Sequence, residues 1–306
     1  MQVQQQSRAT APHYRTARVD GLDIFYRVAG VDSAPVLLLL HGFPTSSRMF
    51  RDLIPRLSDT YRVIAPDYPG FGHSSVPSRT DFTYTFDGIA DIMETFLDQL
   101  DIDHFTLYAM DFGAPVGYRL VLNHPERLAA LVLQNAPLYL EHLEAPEGWW
   151  ETLGNYWRAG SDQMRAASRS YLTRESIRDQ YLVGVADVSR IDPDTWTIDS
   201  ALIERPGVDD IMLDLLYDIR RNVPTNATMQ EFLRTHRPPI LVATGAHDAI
   251  FPLPIMQKIL SDLPETEFHA LNTGHFALED YVDDIALLMR DFLSRRLPTP
   301  APQVPA

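Results

Sequence analysis

The chain reads as two stretches in which short apolar runs alternate with amphipathic ones, separated by a long block that carries only the amphipathic pattern. In the first stretch "LDIFYRVAG" (22–30) alternates like a half-exposed strand, whereas "VLLLL" (36–40) is apolar throughout, as a strand buried on both faces must be. "YRVIAPD" (61–67), "HFTLYAM" (104–110) and "LAALVLQNA" (128–136) predict further buried strands. Helical spacing falls between them. It is found in "SSRMFRDLIPRL" (46–57), in "GAPVGYRLVLNHP" (113–125), stopped near Pro125, and in "FDGIADIMETFLDQL" (86–100), where Ile89, Ile92, Phe96 and Leu100 share a face. From 137 to about 225 the pattern predicts helices rich in aromatics and no buried strand. The alternation then returns with "PPILVATG" (238–245), a helix around 253–262, "TEFHAL" (266–271) and a last helix over 281–297.

Strands alternating with helices imply an α/β domain built on a mostly parallel sheet covered on both faces. A helical block between two such runs implies a lid over the carboxyl ends of the strands, where open α/β sheets bind ligands. The expected division is a core of residues 14–136 and 226–297 and a helical cap of 137–225, with flexible tails at 1–13 and 298–306. No internal repeat is visible.

Composition narrows the function classes. Net charge is 26 − 41 = −15 with no basic block, which argues against nucleic acid and anionic membranes as partners. There is no cysteine, so disulfides, thiolate catalysis and Cys-ligated zinc are excluded. The opening residues lack an apolar h-region, and the longest apolar run, "APVLLLL" (34–40), is too short to span a bilayer, so a cytoplasmic location is expected. The Gly-x-Gly of "DYPGFGHSS" (67–75) opens no phosphate-cradling helix, so nucleotide binding is rejected and neither cofactor nor metal is expected.

Candidate chemistry begins at "LYAMDFGAP" (107–115), where a buried strand runs into a helix. Asp111 sits at the bend with Ala109 and Gly113 two positions to either side, the small residues that a strand–nucleophile–helix turn requires. Locally Asp111 is either a nucleophile or a cap of the helix that follows. Two later segments bear on that choice: "VATGAHDAIF" leaves Asp248 in the loop after a strand, and "LNTGHFALED" presents His275 after the next. Nucleophile, acid and histidine in that chain order form a triad on an α/β sheet. His41 in "HGFP", His247, Glu279 and Asp280 read as structural.

With "HGFP", "DYPGFGHSS", "AMDFGAP", "GAHDAIF" and "NTGHFALED" the chain resembles the α/β-hydrolase superfamily from about Tyr14 to Leu297, and within it the epoxide hydrolase and haloalkane dehalogenase branch with an aspartate nucleophile. The resemblance implies that Asp111 attacks a saturated carbon and that His275, oriented by Asp248, activates the water that cleaves the resulting ester. A serine would leave an ether there, whereas a carboxylate leaves an ester whose carbonyl belongs to the enzyme. The backbone N–H groups of Phe43 and Phe112 are then the oxyanion donors by position.

Phe43 and Phe112 stand where dehalogenases similar to this chain place residues that bind the halide, and a phenyl ring has no N–H to offer. Fluoroacetate dehalogenases follow the nucleophile with arginine, which is also missing here. Epoxide opening is therefore the leading expectation. The cap tyrosines are Tyr139, Tyr156, Tyr171, Tyr181 and Tyr217. Tyr156 and Tyr217 lie nearest the family's pair of acids, although Arg220, preceded by Ile219, occupies the place of the family's second tyrosine. Trp149, Trp150, Trp157 and Tyr139 are expected to line the substrate site. The alternatives are a dehalogenase with a halide site built from cap Trp or Tyr, and a ligand receptor with slow or no turnover. The expected partners are a small hydrophobic organic substrate and water, and the expected state is a monomer or homodimer.

Overall fold

The computed structural model describes residues 11–140 and 148–297; the tail residues 1–10 and 298–306 lie outside it. Eight strands form one sheet: β1 (His13–Val19), β2 (Leu22–Ala29), β3 (Val36–Leu40), β4 (Arg62–Pro66), β5 (Phe105–Met110), β6 (Leu128–Gln134), β7 (Ile240–Gly245) and β8 (Glu267–Leu271). Their order is β1-β2-β4-β3-β5-β6-β7-β8. β2 runs antiparallel to both neighbours, and β3 through β8 are parallel.

β1 is a strand that the apolar pattern did not predict, and it begins inside the expected tail. Its side chains are mostly exposed, so "HYRTARV" carries no alternation to read. The signal was in the turn instead: Asp20 and Gly21, with φ of 47° and 83°, join β1 to β2 as a two-residue hairpin of the Asp-Gly kind.

Numbering only α-helices of eight residues or more, α1 (Phe86–Gln99) and α2 (Gly113–Asn123) belong to the first half of the core. α1 starts where the Thr85 hydroxyl accepts from the Gly88 N–H. The insert contributes α3 (Glu151–Ala159), α4 (Arg174–Leu182), α5 (Asp194–Ile203) and α6 (Val208–Asp218). α7 (Asn222–His236) runs without a break across residue 225 and packs on α2, so the expected cap boundary falls inside one helix. α8 (Val282–Arg296) closes the chain.

Two expected helices are shorter than their patterns. Residues 46–57 form a 3-10 turn (Ser47–Phe50) and a single α-turn (Ile54–Leu57), with Pro55 unable to donate a backbone hydrogen bond. The helix around 253–262 is two short pieces, Leu253–Gln257 and Ile259–Asp262. Among the described residues no helix is long and apolar enough to cross a membrane.

Candidate active site

β5 is buried along its whole length and delivers Asp111 at its carboxyl end with φ of 49°. That left-handed conformation is uncommon for a residue with a side chain, and Asp is among the few types that adopt it readily. The bend closes because its neighbours are small. A Cβ on Gly113 would stand 2.2 Å from the Leu40 carbonyl oxygen, and one on Gly42 would stand 2.7 Å from the Asp111 Cβ.

The carboxylate does not cap α2. Its Oδ1 accepts a 2.7 Å hydrogen bond from the backbone N–H of Phe43, in the loop after β3, and the Phe112 N–H donates to it as well. Phe43 and Phe112 thus place their N–H groups on one carboxylate while their rings meet 5.3 Å apart. Burial pushes the Asp111 carboxyl above its ordinary range, and the pull of His275 and the two N–H groups compensates only in part.

His275 follows β8. Its Nδ1 is 2.9 Å from Asp248 Oδ2, so Nδ1–H donates to Asp248. The same oxygen accepts from Asn135 Nδ2 at 2.7 Å, and Oδ1 accepts from the N–H groups of Ile250 and Phe251 at 2.7 and 3.1 Å. Held in this way, Asp248 fixes the imidazole tautomer and leaves Nε2 buried with no partner among the described residues. Burial alone would lower the His275 pKa, but the Asp248 carboxylate, helped by Asp111, more than offsets it, and the net shift is upward.

Three cavities meet here, under the insert. An inner chamber is bounded by Asp111, Phe112, Tyr118, Trp150, Ile219 and Phe251, among others. A second shares Asp111, Phe112, Trp150 and Ile219 with it and adds Phe43, Trp149 and Gln180. An outer cavity contains His275, again with Trp149 and Gln180. Asp111, Asp248 and His275 therefore converge at one edge of the sheet, beneath helices. A carboxylate held by two backbone donors beside an imidazole with a vacant nitrogen is equipped for hydrolytic chemistry.

The sequence matches the model of the alpha/beta hydrolase fold over residues 35–281. The chain belongs to the α/β-hydrolase fold family. It is 40% identical over 270 residues to an uncharacterized hydrolase of Saccharomyces cerevisiae, covering 87% of this chain and 92% of the yeast protein. A haloalkane dehalogenase of Psychrobacter cryohalolentis is 40% identical over a shorter stretch of 144 residues, 45% of this chain and 46% of that one. A mutant epoxide hydrolase from Vigna radiata superposes with a TM-score of 0.74 over 93% of this chain and 99% of its own, at 22% identity, which speaks to the fold.

In this hydrolase the cap residues are placed unlike the expectation. Tyr156 and Tyr217 pack against each other, with rings 4.5 Å apart, but neither is among the residues lining the chambers at Asp111. The Tyr156 hydroxyl accepts from Arg165 at 3.2 Å, while Tyr217 lies under the Arg220 guanidinium and faces a groove lined by Arg79 and Asp214. Each tyrosine thus has an arginine for its partner.

Trp149 and Trp150 do line the chambers, with Trp150 Nε1 donating to the Ile250 carbonyl at 2.8 Å. Trp157 stands behind Trp150 and gives its N–H to the Leu216 carbonyl at 2.9 Å. The Tyr139 hydroxyl donates to Asp262 at 2.7 Å, and this tyrosine is also missing from the chamber lining.

His41 is structural: it is buried and stacked on Tyr68, and burial lowers its pKa to about 4, which keeps it neutral. Asn135, Gln180 and Tyr118 escaped sequence reasoning. Asn135 had a faint signal as an Asn just past a strand, in a position whose φ proves to be 45°. Gln180 had none, sitting in the polar run "RESIRDQYL". Among the described residues no group of three or more His, Asp or Glu side chains is placed to hold a metal ion.

Proposed function

We propose that this hydrolase opens epoxides to diols through an alkyl ester on Asp111, which water activated by His275 then cleaves. The observation that supports this reading above all is the position of the two backbone donors. The N–H groups of Phe43 and Phe112 lie on the Asp111 carboxylate itself. In a serine hydrolase such donors would face the carbonyl of the substrate. Here they suit an oxyanion formed on the enzyme's own carbonyl when an Asp111 ester is hydrolysed.

The sequence of steps follows from charge. Asp111 attacks an epoxide carbon, the C–O bond breaks, and the electron pair goes to oxygen. Water then gives a proton to His275 Nε2 and attacks the Asp111 carbonyl carbon, while Asp248 stabilises the imidazolium. An epoxide is favoured over a halide because the flanking side chains are phenyl rings and, of the three indoles expected to line the site, Trp150 and Trp157 already give their N–H groups to backbone carbonyls, which leaves only Trp149 of them to serve a halide. The apolar lining from Phe112, Trp150, Ile219 and Phe251 suits a small hydrophobic substrate.

A single turnover of styrene oxide in heavy-oxygen water tests the reading. Label is expected in Asp111, located by peptide mass spectrometry, and not in that first molecule of diol. Label found only in the diol would mean direct attack by water and would overturn the ester.

The two titrations separate the steps. Ester formation needs ionised Asp111, whose pKa is raised from 3.8, and ester cleavage needs neutral His275, whose pKa is raised from 6.5. As pH falls and the imidazole takes a proton, cleavage stops, so esterified enzyme is expected to build up for as long as Asp111 is still ionised. Rapid-quench intact mass across pH reads the fraction; a fraction that stays flat with pH counts against the assignment.

A further inference from the structure

With Tyr156 and Tyr217 held elsewhere, the oxygen released by ring opening lacks its expected donor, and one side chain in the chambers stands ready for that role. Gln180 is 3% exposed, yet both Oε1 and Nε2 of its carboxamide are buried with no hydrogen-bond partner among the described residues. An unpaired buried amide is costly, because its lost hydration is not repaid by a bond. Such a cost is tolerated where a ligand completes the bonds.

The position of Gln180 identifies that ligand. It borders both the chamber that contains Asp111 and Phe43 and the outer cavity that contains His275, so it faces the spaces of both the attacking carboxylate and the base. It is also firmly placed. Its neighbour Tyr181 stacks on Phe276 with centroids 4.0 Å apart and planes within 8°, and the Tyr181 hydroxyl donates to buried Asp199. Directly beyond α4, the Val183 carbonyl oxygen lies against Gly274, where a Cβ would come within 2.1 Å of it. α4 is thereby locked to the loop that carries His275. Tyr118 also presents an unpartnered hydroxyl to the inner chamber, but it is not among the residues that border the cavity containing His275.

We infer that Gln180 is a catalytic residue whose Nε2–H donates to the epoxide oxygen as the ring opens. This rests on the epoxide reading given above. The new bond is Asp111 Oδ to carbon, and the broken bond is carbon to the ring oxygen, which receives the electron pair. The amide holds that oxygen by hydrogen bonding and does not give up its proton. Water in the cavity protonates the alkoxide, and the hydroxide left behind is neutralised by the proton that Asp111 releases once its ester is hydrolysed. A carboxamide here suits a leaving atom that is a strong hydrogen-bond acceptor.

Gln180→Met tests this, because methionine matches the length of the side chain and removes both polar atoms. In a His275→Gln background, where the ester persists, adduct formation with styrene oxide is timed by quenched-flow intact mass. Adduct formation is expected to slow on the order of 10²-fold, the loss associated with one transition-state donor. The melting temperature is expected to rise, because two unsatisfied groups leave the interior. Gln180→His, which keeps an N–H, should recover part of the rate. An alkylation rate within twofold of the parent, or a fall in melting temperature marking a packing role, overturns the inference. No adduct in the parent itself sinks the epoxide reading and this inference with it.

Discussion

His275→Gln is expected to convert the enzyme into a stable alkyl ester on Asp111, with intact mass increased by one epoxide molecule and turnover reduced about 10⁴-fold or more. The expectation follows from which atoms each step needs. Alkylation uses the Asp111 carboxylate and the Phe43 and Phe112 N–H groups, none of which belongs to His275. Cleavage needs a base at the position of Nε2, the one nitrogen of the imidazole that the fold leaves without a partner. Glutamine nearly fills the space and can still meet Asp248, but it does not take a proton from water. Peptide mapping should locate the added mass at residue 111, and a second substitution, Asp111→Asn, should prevent it. Unmodified protein at a substrate concentration shown to bind would defeat the mechanism, whatever happened to turnover.

Asp111→Asn should abolish activity, again by about 10⁴-fold or more, while making the protein more stable at neutral pH. Both effects come from the buried charge. Asparagine adopts positive φ readily, so the bend at 49° remains accessible, and its oxygen can still accept from Phe43. What disappears is a carboxylate whose pKa burial has raised. A raised folded-state pKa means that the protonated form is the one the fold favours. The contribution of the group is therefore most favourable below its unfolded value and is lost as pH rises through the folded value. At neutral pH the wild type bears the penalty of the ionised form and the variant does not. Melting temperatures should accordingly differ most at neutral pH and draw together in acid. A variant less stable at neutral pH would restore the helix-cap explanation and remove the case for a functional carboxylate.

This reversal of sign is what separates a catalytic side chain from a structural one. Asp67, also fully buried, is structural by its bonds: its two oxygens accept from the N–H groups of Ser47 and His73 and hold a loop in place. Gln180 and the Nε2 of His275 instead carry polar capacity that no described residue uses. Free energy stored as incomplete hydrogen bonding is available to a substrate.

Much of the architecture was legible because it depends on one-dimensional regularities. β5 and β7 are buried along their whole length and read as apolar runs broken only by Thr106 and Thr244. α1 carries its apolar stripe at helical spacing. The elbow was legible for a steric reason, since only small residues let β5 turn beside Leu40, and Gly113 answers to that constraint. The convergence of Asp111, Asp248 and His275 could be anticipated from topology, because each follows a parallel strand and parallel strands end at the same edge.

The cap was another matter. Tyr156 and Tyr217 have the composition of a site, but they pack on each other, with Arg165 on the Tyr156 hydroxyl and Arg220 over the Tyr217 ring, away from the chambers at Asp111. Gln180 resembles any solvent-facing residue of an amphipathic helix until the stacking of Tyr181 on Phe276 turns α4 against the histidine loop. β1 was missed because an exposed edge strand has no buried face to impose a pattern.

The sequence by itself determined strands β2 to β8, the helical stretch between β6 and β7 and the order of the three residues that meet at the strand ends. These follow from local periodicity and from the few ways a parallel sheet can connect, so they survive without knowledge of distant contacts. Only the tertiary structure decided which cap side chains face the carboxylate, which N–H groups are already spent on carbonyls, and where an amide is left unpaired. Those depend on how separate helices rotate when they pack, and rotating a helix by one residue's spacing, about 100°, replaces the side chain that points into a cavity.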